Sequence, residues 1–158
     1  MLRYLSAGES HGRAILAILE GLPAGLKLEL DRINGELKRR QQGFGRGRRM
    51  QIEQDRAEIL SGLKNRMTLG SPVALLIRNK DFSIEKLHKV MSPRPGHADL
   101  AGLLKYGFSD IRNVLERASA RSTVATVGIG ALCKILLQEF GIQISSRVVS
   151  IGGELSRK

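Results

Sequence analysis

The chain has 158 residues, 42% hydrophobic and 26% charged, which is enough length and apolar content for one globular domain with its own core. Lysine and arginine number 26 against 15 acidic residues, and the net charge of +11 favours a polyanionic partner, either nucleic acid or a phosphorylated metabolite. A single cysteine, Cys133, excludes an intrachain disulfide and sits in no metal-ligand spacing; with no secretory leader by pattern, the expected setting is a reduced cytoplasmic compartment without a structural metal.

Residues 2–5 read as a short strand and 14–19 as a second apolar element. Between them lies Gly8-Glu9-Ser10-His11-Gly12, a carboxylate, a hydroxyl and an imidazole framed by two glycines. Glycine opens backbone conformations closed to other residues, and an imidazole gives and takes a proton near neutrality. Read locally, the segment is equally a tight turn with a surface histidine. Gly21-Leu22-Pro23-Ala24-Gly25 is a turn cluster, and the alternating run 26–30 predicts a half-buried strand. Asp31 is expected to cap a helix whose Ile33, Leu37 and Arg40 share one face, with Gly43 just past its end.

A basic run closes that helix. Lys38, Arg39 and Arg40 suit the negative end of a helix dipole, but Arg46, Arg48 and Arg49 follow among Gly43, Gly45 and Gly47, with no acid between positions 37 and 52. Arginines on a glycine-rich loop keep repelling charges together without packing them, and their planar forks suit phosphate or carboxylate. The glycine spacing matches neither a Walker loop nor a dinucleotide fingerprint. Residues 51–65 read as one or two strands, 73–77 as a buried strand ended by Asn79-Lys80-Asp81, and 82–91 as one short helix.

Ser92-Pro93-Arg94-Pro95-Gly96-His97-Ala98-Asp99 then forms a rigid loop that presents Arg94 and His97. A helix is expected over 98–106 and a longer one over 114–140, with Glu116-Arg117-Ala118-Ser119-Ala120-Arg121-Ser122-Thr123 inside it. Two guanidinium groups and a hydroxyl, Arg117, Arg121 and Ser119, at the start of a buried helix call for an anion. The glycines of that helix, like Cys133, are assigned to core packing. The apolar stretch 123–137 is broken by Lys134 and falls short of the roughly 20 residues that span a bilayer, so no membrane partner is expected. Residues 142–151 read as a closing strand.

Three of these segments, Gly8-Glu9-Ser10-His11-Gly12, Arg94-Pro95-Gly96-His97-Ala98-Asp99 and Arg117-Ala118-Ser119-Ala120-Arg121, resemble the signature segments of chorismate synthase, in that family's order and at similar spacing. Gly21-Leu22-Pro23-Ala24-Gly25, the arginine run and Ile59-Leu60-Ser61-Gly62 extend the resemblance over essentially the whole chain, 1–158, as the N-terminal part of a single domain. Members of the family are longer, and the second half that supplies much of their flavin site has no counterpart here. The family usually has glutamate where this chain has Ser122, a change expected to loosen a contact to Arg121.

The resemblance implies an α+β fold, a sandwich of antiparallel sheets around a helical layer, with only its N-terminal part present. It implies conversion of 5-enolpyruvylshikimate 3-phosphate to chorismate by anti-1,4-elimination of phosphate, dependent on reduced FMN, with NADPH as a source of reducing power for the flavin, and a homotetramer. His11 matches the histidine that protonates the departing phosphate and His97 the one that protonates the reduced flavin. Ser10, Arg40, Arg46, Arg49, Arg94, Ser119 and Arg121 match substrate contacts, and Arg117, Ala118 and Ser119, with Arg40 and Arg46, match cofactor contacts. The competing classes are a basic nucleic-acid-binding module and a catalytically inactive piece of the same family. Against the first, aromatic residues are 4% of the chain and do not interleave with the basic run.

Overall fold

The computed structural model describes residues 1–42, 47 and 49–156. Strands β1 (Arg3–Ala7) and β2 (Ala14–Glu20) form an antiparallel hairpin around the Gly8–Gly12 segment, in the register Leu5↔Ile18. On its other edge β2 pairs with β7 (Val73–Arg78), and β7 pairs with β4 (Ala57–Ser61), giving a four-stranded antiparallel sheet in the order β1-β2-β7-β4. Strands β3 (Ala24–Lys27), β5 (Leu63–Lys64) and β6 (Met67–Leu69) form a separate three-stranded sheet. The strand expected over 26–30 therefore starts earlier and ends at Lys27, although Leu26 and Leu28 are buried as its alternation requires.

One face of the large sheet carries Ile15, Ala17 and Leu19 from β2 and Val73, Leu75 and Ile77 from β7, all buried. Against it lies the helix α5 (Thr123–Gln138), which buries Val124, Ala125, Gly128, Ile129, Ala131, Leu132 and Ile135, the spacing of one helical face. Gly128 is placed by packing: a Cβ there would lie 3.2 Å from Leu75 Cδ1. Alongside α5 runs α1 (Leu30–Gln41), burying Ile33, Leu37 and Arg40, the three positions that share a face by sequence. Each fully buried Leu or Ile contributes about 1.5–3 kcal/mol of burial free energy, so this seam holds the helices to the sheet. Helix α1 starts one residue before Asp31, after an extended Glu29 with no side-chain cap; Asp31 sits in the first turn, where its charge suits the helix dipole. Gly43 lies outside the described residues. The result is α+β, antiparallel sheets with a helical layer on one face.

Three expectations are corrected. Residues 82–91 hold only a single 3₁₀ turn, Ile84–Lys86, because their backbone groups are spent elsewhere: the Ile84 N–H donates to the His11 carbonyl, and the Val90 N–H to Asp110. The helix expected over 114–140 is broken into α4 (Arg112–Arg117), a 3₁₀ turn at Ala120–Ser122, and α5. Ser119 is extended and its hydroxyl accepts from the Arg121 N–H, while the Ser122 and Thr123 hydroxyls donate to the carbonyls of Ser119 and Ala120. Serine and threonine offer the backbone such local alternatives to helix, and three within five residues end one. By length and composition alone 112–138 would cross a bilayer, but it is interrupted at this point and α5 packs its apolar residues on the sheet. Finally, 142–151 is strand only at β8 (Ser150–Ile151), paired with β9 (Glu154–Leu155); Ile142, Ile144, Val148 and Val149 are exposed and have no ladder partner among the described residues.

Helix α3 (Asp99–Tyr106) follows the proline loop and crosses α4 so closely that a Cβ on Gly102 would lie 2.4 Å from Val114 Cγ1. Cys133 is half-buried against the core, a free thiol whose pKa burial raises.

Candidate active site

The break between α4 and α5 meets the turn between β1 and β2. Gly8 permits that turn: its φ is +110°, and a Cβ there would lie 2.3 Å from the Ala14 carbonyl oxygen. The Ser10 N–H donates to the Glu116 carbonyl, and the His11 N–H donates to Glu116 Oε2 at 2.7 Å. The His11 ring then turns Nδ1 onto the same carboxylate, 2.9 Å from Oε1. An ionised carboxylate only accepts, so Nδ1 carries the proton and Nε2 is left for chemistry. Beyond Nε2, Asp81 Oδ2 lies at 3.8 Å. The Ser83 hydroxyl, which donates to Asp81, holds that carboxyl below its ordinary pKa, and His11 and Arg49 add to the effect.

Helix α2 (Arg49–Ile52) carries Arg49 to the same point. Its Nη1 donates to Ser10 Oγ at 2.7 Å, and its Nη2 reaches the Ser10 carbonyl, Glu53 Oε1 and the Asp81 carbonyl. The Ser10 and Ser119 hydroxyls lie 3.0 Å apart, and either can donate to the other. Ser119 Oγ also accepts from the Arg121 N–H. Ser10 is buried and Ser119 half-buried, so Ser119 is the more outward hydroxyl of the pair.

Beneath this group lies a buried charged layer. Asp55, fully buried, accepts from Nη1 of Arg40 at 3.1 Å and from Nη1 of Arg121. Arg40 also donates to Thr123 Oγ1 and to the Ala120 carbonyl, so it ties α1 to the break before α5. Arg121 Nε donates to Asn79 Oδ1 at 2.8 Å. Its Nη2, buried and 3.8 Å from Glu53 Oε2, makes no hydrogen bond. Glu53 further receives the Lys80 and Asp81 N–H groups.

The structure thus brings together Ser10, His11, Arg49 and Ser119, with Arg40 and Arg121 directly below. Arg46 lies outside the described residues. Arg117 is exposed and clips the end of β1, donating to the Ser6 carbonyl, the Ser6 hydroxyl and the Gly8 carbonyl. Together with Ala118 it walls an apolar cleft of about 320 Å³, whose other walls include Ala101, Gly102, Tyr106 and Phe108. Arg94 and His97 sit on the exposed loop ahead of α3, where Arg94 grips buried Asp99 through Nε, Nη2 and its own N–H. Among the described residues no hydrogen bond or ion pair joins His97 to the Ser10–His11 group. The Ser122 hydroxyl donates to the Ser119 carbonyl.

Glu53, Asp55, Asn79, Asp81 and Glu116 are not among the site residues expected from sequence, where Asn79 and Asp81 served only to end a strand and Glu116 only to open a helical segment. Their one visible signal was position: Glu53 and Asp55 are the first acids after the long basic run, and Glu116 adjoins Arg117.

A family model described as chorismate synthase matches residues 2–158. The chain belongs to the chorismate synthase family. It is 57% identical to a chorismate synthase of Sulfurihydrogenibium sp. (strain YO3AOP1), covering 96% of this chain and 42% of that protein. It is 56% identical to one of Aquifex aeolicus (strain VF5), covering 96% of this chain and 41% of that protein. A solved structure titled "Crystal Structure of Chorismate Synthase" superposes with a TM-score of 0.80 at 51% identity, over 98% of this chain and 40% of that chain. The chain spans about two fifths of the length of the relatives it matches. The turn after β1, the proline loop and the α4–α5 break are therefore chorismate synthase segments, two of them folded into one constellation here.

Proposed function

We propose that the protein acts as a chorismate synthase, eliminating phosphate from 5-enolpyruvylshikimate 3-phosphate to give chorismate in the presence of reduced FMN. The observation that supports this most is the His11 group. A histidine is fixed in one tautomer by buried Glu116, and beside it stand the Arg49 guanidinium and the Ser119 hydroxyl, drawn from segments 39 and 109 residues from Ser10.

The substrate carries two carboxylates and a phosphate, so the site must supply cations and donors already in place. Arg49 and the Ser119 hydroxyl are such donors, held by Glu53 and the Arg121 N–H so that little is reorganised on binding, while the buried Arg121 guanidinium adds positive charge from beneath. When the bond to phosphate breaks, charge grows on the departing oxygen, and a proton held at His11 Nε2 neutralises it. Glu116 keeps the ring from rotating and stabilises the imidazolium from which the proton leaves. Asp81, kept ionised, flanks Nε2 on the far side.

The chemistry of the donor set also fits the flavin. Arg117, Ala118 and Ser119 would hold it, small Ala118 opening onto an apolar cleft that suits a flat ring and Arg117 supplying charge at its edge. Bound reduced FMN supplies the transient electron density that the elimination needs without net redox change. His97, an exposed proton carrier, falls by its match on the flavin side of the reaction, and NADPH is the reductant that would keep the flavin reduced; Arg40 and Arg46 match cofactor contacts, of which Arg40 is buried here against Asp55. The same proposal carries a homotetramer in the cytoplasm. Exposed Leu5, Leu16 and Ile18 on the outer sheet face support self-association. Nucleic acid and membrane have no part in it: Arg40 and Arg49 engage Asp55, Glu53 and Ser10 rather than presenting an open basic face.

The native protein, given the substrate and reduced FMN without oxygen, is expected to release phosphate and form chorismate, and His11→Ala to slow turnover by about 10²–10⁴-fold. Phosphate release at the same rate in His11→Ala would remove the assigned role of His11. No turnover by the native protein would remove the activity and leave only the family.

A further inference from the structure

Asn79 is 5% exposed, stands one residue past β7, and belongs to none of the signature segments. Its backbone N–H donates to the Arg13 carbonyl, which carries the β2–β7 pairing one step beyond Ala14↔Arg78. Its side chain does something no strand terminator requires. Nδ2 donates to the carbonyl of Gly12 at 2.7 Å and to those of Ser10 and Glu9 at 3.2 and 3.3 Å, so one amide gathers the inward-facing carbonyls of the turn that presents Ser10 and His11. Oδ1 faces the other way and accepts from Arg121 Nε at 2.8 Å. Arginine only donates, so this contact fixes which end of the amide is oxygen.

We infer that Asn79 is a positioning residue that locks the His11 turn onto the buried Arg121 guanidinium, so that His11 is held in place to protonate the leaving anion. The chemistry is specific to asparagine. Aspartate has the size and the acceptor but no N–H, and it would set a carboxylate against three carbonyl oxygens. Leucine would take the donor from the Gly12 carbonyl and leave those of Ser10 and Glu9 to Arg49 and the Gly12 N–H alone, and serine is too short to span both sides. The chain of contacts runs from Asp55 through Arg121 and Asn79 to the turn, and from the turn through His11 to Glu116. A longer route runs from Arg121 past Glu53 and Arg49 to the Ser10 carbonyl, but among the described residues Asn79 is the one side chain hydrogen-bonded to both the Arg121 guanidinium and the turn's carbonyls.

The inference rests on the activity proposed above only for the identity of the anion, so the test has one arm that needs no turnover. In the native protein, nitrogen-15 NMR of the His11 imidazole, assigned with His11→Gln, is expected to show the Nδ1–H form at a pH where the ring is neutral. In Asn79→Asp the turn loosens, the contact to Glu116 weakens, and the Nε2–H form should rise. In the second arm kcat of the folded variant should fall by about 10- to 100-fold, the scale of a misplacement near 1 Å, while the carboxylate set against three carbonyls also lowers its thermal midpoint. Asn79→Ser, which leaves room for a water to donate to the turn, should fall between the two and carries the test if Asn79→Asp does not fold. A wild-type His11 signal in a folded Asn79→Asp or Asn79→Ser protein would overturn the proposal. So would failure of both variants to fold, which would assign Asn79 to the fold. Absent turnover with a changed His11 signal would instead count against the activity and leave the clamp standing.

Discussion

Replacing Asp55 by asparagine puts the greatest load on the buried layer beneath the site. The carboxylate is fully buried and faces two guanidiniums, those of Arg40 and Arg121, whose side chains are 6% and 2% exposed. Asparagine keeps the shape but removes the only full charge that both arginines contact directly through hydrogen bonds among the described residues. Breaking a buried pair by removing one partner costs about 3–5 kcal/mol, because the partner's charge stays buried without compensation. Arg40 retains Thr123 and the Ala120 carbonyl, and Arg121 retains Asn79, so the lower end of that range applies. At about 2–4 °C per kcal/mol for a domain of this size, a loss near 3 kcal/mol lowers the melting midpoint by about 6–12 °C. The assay is thermal unfolding of the native protein followed by circular dichroism, with Glu58→Gln as the control. That control breaks the Arg78–Glu58 pair, whose side chains are 70% and 47% exposed, and exposed pairs contribute little. A midpoint for Asp55→Asn no lower than that of Glu58→Gln would refute the argument that this layer is held by buried charge.

Two further outcomes follow from the packing and the proline loop. Gly102→Ala should gain the usual helix preference of alanine, about 0.5–1 kcal/mol, yet lose more than that, about 1–3 kcal/mol, to overpacking of Val114. Combining it with Val114→Ala should then cost less than the two changes separately, and additive losses in urea unfolding would show that α3 and α4 do not touch as described. The Asp99 carboxyl is lowered from 3.8 to about 2, first by the side-chain hydrogen bond from Arg94 and then by the Arg94 N–H. A depressed carboxyl stabilises the loop fully above its unfolded value, near 3.8, and loses that contribution as pH falls through about 2. The Arg94 amide should therefore stay protected from exchange at about pH 4 and open below it, while Asp99→Asn opens the loop at every pH; protection that vanishes already near pH 5 would contradict the assignment.

Much of the scaffold was legible in the residues themselves. The apolar runs of β2 and β7 and the 33–37–40 face of α1 are local patterns, and which of their residues are buried follows because each side chain's direction is set by its own backbone. The family signature was equally local, since three short segments carry it. Arg40 on an otherwise apolar face was a visible anomaly, and the structure resolves it as the α1 end of the Asp55 layer.

What the chain alone did not decide was whether helix runs through 114–140, and which polar residues would meet. Apolar periodicity favoured one helix; hydroxyl-to-carbonyl bonds at Ser119, Ser122 and Thr123 broke it, and that break is what lets Ser119 and Glu116 face Ser10 and His11. Glu53, Asp55, Asn79 and Glu116 look like ordinary surface residues in sequence, because polar side chains are buried only where partners from distant segments satisfy them. Those partners lie up to 105 residues away for the Glu116–His11 contact, a separation that no local pattern encodes. Sequence determined the central strands, the helical faces and the family; only the tertiary structure decided which carboxylate holds which base, because that pairing exists only once the sheet and the broken helix have met.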